Sequence, residues 1–338
     1  MCNGLFGVKP SHGRVPFAGQ ENGIAAGGEG LGIRASAGPI ARSVRDCEMF
    51  FRVMGEGKAW RGDVEVLPQT WEGQVGLQKG RKVRVGVVRD DGVTAPLPSI
   101  KRFFDEVVAE LAKDGKVEVV ELDITALLSK CQSLANGFFS IDGANHMFDL
   151  LEATSEPLSP WLQTRLRRRK AVDIARVKEL HAQRAEMQQK FLDIWTEDGG
   201  FWSTAPGSSK SEGKRDLDII ICPVAPHTTP PVDQWNTASY TSSFVLLDYP
   251  AATLPVRPLA PRDLQGELEG KERGSWDKAN RALWTKNEKK VWLGGELCLQ
   301  IVGRRREERV VVEGMAVLED ALKGLREGAG KGEERAKL

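Results

Sequence analysis

Nowhere in the 338 residues does an apolar run approach the roughly 20 consecutive residues that a bilayer-spanning helix requires. Histidine is scarce, four in all, and no H-E-x-x-H motif occurs. The five cysteines (Cys2, Cys47, Cys131, Cys222 and Cys298) contain no C-x-x-C pair. A zinc centre or a disulfide framework needs clustered ligands, so no metal and no cofactor is expected, and the thiols read as reduced and buried. Charge of one sign is also lacking: 48 Lys and Arg stand against 47 Asp and Glu, a formal net charge of +1. That balance gives no electrostatic case for nucleic acid or a membrane surface as partner. Residues Met1–Gly7 lack both a charged n-region and an apolar h-region, so nothing marks secretion, and the expected location is the cytoplasm. No G-x-S-x-G elbow exists, and Gly30-Leu31-Gly32-Ile33-Arg34-Ala35 fits G-x-G-x-x-A without a preceding strand pattern.

What is present is an ordinary globular composition, 41% hydrophobic and 28% charged, with length enough for one large domain. The first 40 residues are glycine-rich and read as loop. Ser43-Val44-Arg45-Asp46 resembles a capping box, and Val44, Cys47, Phe50, Phe51 and Met54 repeat at helical spacing until Gly55 and Gly57. Val83, Val85 and Val87 alternate as a strand. Ile100, Phe103, Phe104, Val107, Val108 and Leu111 form an amphipathic helix ended by Gly115, and Val117–Leu122 returns to strand. Strand, helix and strand at this spacing predict a parallel βαβ unit. A long helix is predicted from Ser159-Pro160 to about Trp195, carrying a basic cluster of Arg165, Arg167, Arg168, Arg169 and Lys170 that reads as a solvated face. Ser203–Arg215 reads as a polar loop. Leu217–Cys222 and Ala252–Val256 are expected strands, and Arg262–Lys290 is a charged surface excursion. Leu297, Leu299 and Ile301 form one face of a further strand, Glu308–Leu325 is a helix, and 326–338 is a disordered charged tail.

Three stretches resemble the amidase-signature family, its fungal acetamidase-like branch in particular. They are Gly4-Leu5-Phe6-Gly7-Val8-Lys9-Pro10-Ser11-His12-Gly13-Arg14-Val15-Pro16, Gly38-Pro39-Ile40-Ala41-Arg42-Ser43-Val44-Arg45-Asp46, and Leu299-Gln300-Ile301-Val302-Gly303-Arg304. Weaker echoes are Ile221–Pro226, Leu247–Pro250 and Phe139–Gly143. The resemblance implies an α/β fold with a mixed sheet flanked by helices, and a single domain over 1–325 corresponding to the C-terminal portion of that fold. It also implies amide hydrolysis through a Ser–cis-Ser–Lys arrangement, in which a neutral lysine withdraws a proton through the middle serine and backbone N–H groups hold the oxyanion.

In the family the lysine, both serines and the oxyanion loop precede the segment matched by Gly4-Leu5-Phe6-Gly7. The expectation is therefore that no catalytic residue lies in this chain, that the fold lacks its N-terminal part, and that the chain alone is inactive. A small amide is the implied substrate; the alternative is a non-catalytic relative that binds a small acyl or amide ligand, or a protein partner. By resemblance, Phe138, Phe139 and Asp142 wall the substrate pocket; as bare sequence, the aromatics read as core. Three local combinations read as structural instead of catalytic: Ser208-Ser209-Lys210 as a surface loop, Lys9 as a structural or solvent-facing lysine, and Ser11-His12 as a turn without an orienting carboxylate nearby in sequence.

Overall fold

Strand pairing begins inside the glycine-rich start of the chain. Strand β1 (Phe6–Lys9) pairs antiparallel with β2 (Ile40–Ala41), so the segment read as loop carries two short strands. Four residues and two residues are too few to show a periodicity, and their partners lie far off in sequence. Pro10, which has no N–H to donate, follows the last residue of β1. The computed structural model describes residues 3–20, 28, 30–163, 165–196, 216–232, 234, 237 and 239–327. Cys2, most of the glycine-rich stretch 21–29, the loop Ser203–Arg215 with its Ser208-Ser209-Lys210, and the tail from 328 onward lie outside the described residues.

Helix α1 (Val44–Glu56) starts where Ser43 Oγ accepts a hydrogen bond from Asp46 N at 3.1 Å. The βαβ unit follows as read: β3 (Val83–Val87), α2 (Pro98–Leu111) and β4 (Val117–Glu121), with β3 and β4 parallel. Helix α2 ends at Leu111, ahead of Gly115. Helices α3 (Thr125–Phe139) and α4 (Asn145–Thr154) come next. The long helix expected from 159 is two helices, α5 (Pro160–Gln163) and α6 (Ile174–Trp195). Between them the backbone is drawn off, Arg169 N donating to Gly143 O and Val172 N to Ile141 O, both at 2.9 Å. Asp173 then caps a fresh start by accepting from Arg176 N at 2.8 Å. The basic cluster is solvated as read, but it lies on this irregular link rather than on a helix.

Strand β5 (Ile219–Pro223), helix α7 (Ser239–Leu246), strand β6 (Ala251–Pro258), helix α8 (Ser275–Lys286), strand β7 (Glu296–Val302) and helix α9 (Glu308–Ala321) complete the chain order. Helix α8 lies within the charged stretch 262–290 and is stitched to the core. Buried Asp277 accepts from Ala95 N and Arg273 N, each at 3.0 Å, and Asn280 Nδ2 donates to Ala95 O at 2.8 Å.

Among the described residues one seven-stranded mixed sheet runs in the order β2-β1-β6-β7-β5-β3-β4. Alternate residues of a strand face opposite sides of a sheet, and β5 shows the result. Ile219 and Ile221 join a core with α1, α2 and α9, whereas Ile220 and Cys222 join one with α3, α6 and α7. Both faces are therefore covered, and β5 is apolar throughout; each isoleucine removed from water contributes on the order of 2 kcal/mol.

Candidate functional site

The three stretches that carried the resemblance meet at one cleft. Gly7 of β1 lies opposite Ile40 of β2 and Thr253 of β6, and Thr253 lies opposite Gln300 of β7. These residues, with Lys9, Ser36, Gly38 and the α7 residues Thr241, Phe244 and Val245, line a cavity of about 320 Å³. Period-two alternation sends Phe6 and Val8 into the core beneath α1 and leaves Gly7 and Lys9 on the cleft side. The loop that returns to β2 passes so close that a Cβ on Gly38 would sit 1.9 Å from Val8 O, while Val8 N donates to Pro39 O at 3.0 Å. Only glycine allows that approach.

Lys9 Nζ donates to Pro10 O at 2.7 Å, and Ser36 Oγ donates to the same oxygen at 3.1 Å. Burial holds the Lys9 ammonium below the ordinary lysine range, against Asp248 and Glu308, which favour its charged form. Lysine and serine thus line one cleft, but each directs a proton at a shared carbonyl. Gln300 is fixed by donation from Nε2 to Cys222 Sγ at 2.9 Å and to Tyr240 O at 3.0 Å. The cavity combines an ammonium, hydroxyls and an amide over an apolar floor, a lining suited to a small polar uncharged group with a short apolar tail. Lys9 and Gln300 lie within family-like motifs, whereas no local sequence pattern marks Ser36, Thr241 or Thr253.

Ser11 and His12 are not a catalytic pair. Ser11 Oγ accepts from Arg306 N at 2.8 Å, while His12 Nδ1 faces Ala35 O at 3.0 Å and Nε2 faces Glu65 Oε2 at 3.2 Å. The carboxylate that sequence proximity did not supply thus comes from Glu65, but the hydroxyl is engaged elsewhere. Phe138 is buried against α6, edge-on to His181, with the Arg184 guanidinium 4.9 Å from its ring centroid. Phe139 is 57% exposed. Asp142 is exposed and accepts from Ala144 N at 2.8 Å and His146 N at 3.1 Å at the start of α4. None of these three lines the Lys9 cleft.

A larger cavity, about 800 Å³, lies between α2 and the segment 265–273. Its charged groups include ion pairs such as Arg273–Asp90 at 2.6 Å and Lys101–Glu269 at 2.5 Å. It touches none of the three family-like stretches. Among the described residues no group of three or more His, Cys, Asp or Glu could hold a metal ion, and no helix is long and apolar enough to cross a membrane.

Comparison with known proteins agrees with the geometry. The model of the Amidase family matches residues 1–312. Amidase 2 of Gibberella moniliformis is 30% identical over 315 residues, covering 91% of this chain and 54% of the relative. Acetamidase of Aspergillus oryzae is 27% identical over 313 residues, covering 90% and 54% respectively. Among solved structures, fatty acid amide hydrolase superposes with a TM-score of 0.75 at 24% identity, covering 94% of this chain and 53% of that one, a likeness of fold. The chain spans about half the length of the curated relatives it matches. With the family model matched along nearly all of it, the chain belongs to the amidase-signature family.

Proposed function

We propose that this chain forms the amide-binding side of an amide hydrolase, with the cleft at Lys9, Ser36, Thr253 and Gln300 receiving a small amide. The observation that carries this reading is the convergence of the three family-like stretches on that one cavity. We further infer that the serine nucleophile, its serine partner and the lysine base are not supplied by the described residues. Lys9 and Ser36 share an acceptor instead of forming a relay, and Ser11 is tied to Arg306. The part left to this chain is to bind and orient the amide, which lowers the barrier only when a nucleophile is brought to it. The described cysteines are free and buried, which supports a reducing, cytoplasmic setting.

The test is ligand binding and turnover by the purified 338-residue chain. Acetamide should raise the unfolding midpoint saturably, as a ligand that favours the folded state must. Ser36→Phe, which fills the cleft, should abolish that response, and no ammonia should be released by either protein. Release of ammonia tracking the purified chain would overturn the assignment of the nucleophile elsewhere; an acetamide response unchanged in Ser36→Phe would overturn the cleft.

A further inference from the structure

Beside the Lys9 cleft, and sharing Val245 with it, lies a second cavity of about 400 Å³ rich in arginine. Arg34, Arg184, Arg305 and Arg306 line it, against two carboxylates, Glu65 and Asp248. Both carboxylates are already engaged. Glu65 accepts from Arg34 at 2.5 Å and faces His12 Nε2 at 3.2 Å. Asp248 accepts from Arg305 Nε and from His12 N, each at 2.7 Å. Among the described residues, no carboxylate pairs with Arg184 or Arg306.

Arg184 is the more telling of the two. Its guanidinium lies over the Phe138 ring, with Nη2 3.0 Å from His181 Nδ1 and Nη1 3.4 Å from Gly32 O. Partial burial is the main influence that makes its charge less favourable, and repulsion from Arg305 and Arg34 adds to it; Asp248 opposes both. A cation withdrawn from water among other cations costs free energy until an anion reaches it. Arg306 is placed by its backbone. At φ 69° it is held in the left-handed region, its N–H bound to Ser11 Oγ and its carbonyl to Arg14 Nη2 at 3.1 Å, while its side chain is exposed at the cavity.

We propose that this cavity is a binding site for a small oxyanion, a carboxylate or phosphate group, held by Arg184 and Arg306 between the already paired Arg34 and Arg305. Guanidinium groups recognise such oxygens through paired, charge-assisted hydrogen bonds. The site stands independently of amide hydrolysis.

The experiment titrates the full 338-residue chain with inorganic phosphate, and separately with succinate, at constant ionic strength, reading the unfolding midpoint and the heat of binding. Saturable binding of at least one anion is expected, and the arm that responds identifies the oxyanion. Arg184→Gln and Arg306→Gln should each weaken it by about tenfold or more, the scale of one charge-assisted contact. Arg306→Gln removes an exposed side chain and keeps the assay informative if Arg184→Gln fails to fold. Arg168→Gln, at a solvent-facing arginine outside the cavity, should bind as the parent does. No saturable response to either anion would overturn the site, as would unchanged affinity in Arg306→Gln.

Discussion

Arg14 Nε donates to Glu308 Oε2 across 2.7 Å, joining residues 294 positions apart, with the two side chains 5% and 0% exposed. Glu308 also accepts from Ser11 N at 2.9 Å, and Arg14 also donates to Gln69 Oε1 at 2.8 Å. The first family-like stretch is thereby clamped to the start of α9. Removing one member of a buried pair leaves the other charge uncompensated and costs about 3–5 kcal/mol, whereas removing both costs less. Arg14→Met and Glu308→Gln should therefore each lower the urea midpoint strongly, and the double variant should recover part of the loss. Additive single-variant effects in that cycle would contradict the clamp.

Gly38 tests the close approach beneath the cleft. An added methyl would meet Val8 O at 1.9 Å and Pro10 Cδ at 2.7 Å, so backbone must move. Gly38→Ala should destabilise by about 3 kcal/mol or more, a magnitude associated with overpacking. Gly115→Ala, where nothing lies within 4 Å, serves as the control and should change stability by less than about 0.5 kcal/mol. Chemical denaturation of both variants decides the matter.

Lys9 should leave a signature in the pH dependence of stability. Its folded value lies below the ordinary 10.5, so over the interval between the two the unfolded chain holds more protons than the folded one. Stability contributed by this group rises with pH through that interval. Lys9→Met should flatten the rise on the approach to pH 10.5, and at pH 7 it should unfold at the same or a higher urea concentration. Pro10 O keeps the Ser36 hydroxyl as a donor in the variant. A lower midpoint at pH 7 with an undiminished slope would count against a buried, discharge-prone ammonium.

The thiols give a fourth check. Burial pushes Cys47 up to about 11, and Cys131 and Cys222 up to about 12. Thiolate is the reactive species, so maleimide at pH 7.5 should label these three only at the rate of unfolding. Between pH 9 and about 12 the unfolded chain loses protons that the folded thiols keep, so stability should fall as pH rises across that interval. Rapid labelling of Cys131 or Cys222 in the native protein would show that the cores are open.

The parts of the fold legible in the sequence were those whose signal is local. The βαβ unit announced itself because Val83, Val85 and Val87 alternate and Phe103, Phe104, Val107, Val108 and Leu111 repeat helically. Strand β1 did not, since a four-residue strand owes its existence to Ala252 and Thr253 across the sheet. The break between α5 and α6 was hidden because the hydrogen bonds that draw Arg169 and Val172 aside come from Gly143 and Ile141. At the cleft, the motifs supplied Lys9, Gly38 and Gln300, but Ser36, Thr241 and Thr253 enter only through pairing and packing that no local pattern encodes. Phe138 was readable as core, and there it lies.

The strand order carries a consequence for synthesis. The middle of the sheet, β6 and β7, is made from late sequence, while β1, β2, β3 and β4 wait on either side for it. Until β6 is made, β1 has only the two-residue β2 to pair with, while β3 and β4 can already pair with each other. The edge of β1 that meets β6 and the edge of β3 that meets β5 therefore stay unpaired until residues 219–258 are made, and an unpaired strand edge exposes a nascent chain to aggregation. Chaperone demand during production should thus track the time taken to translate residues 219–302.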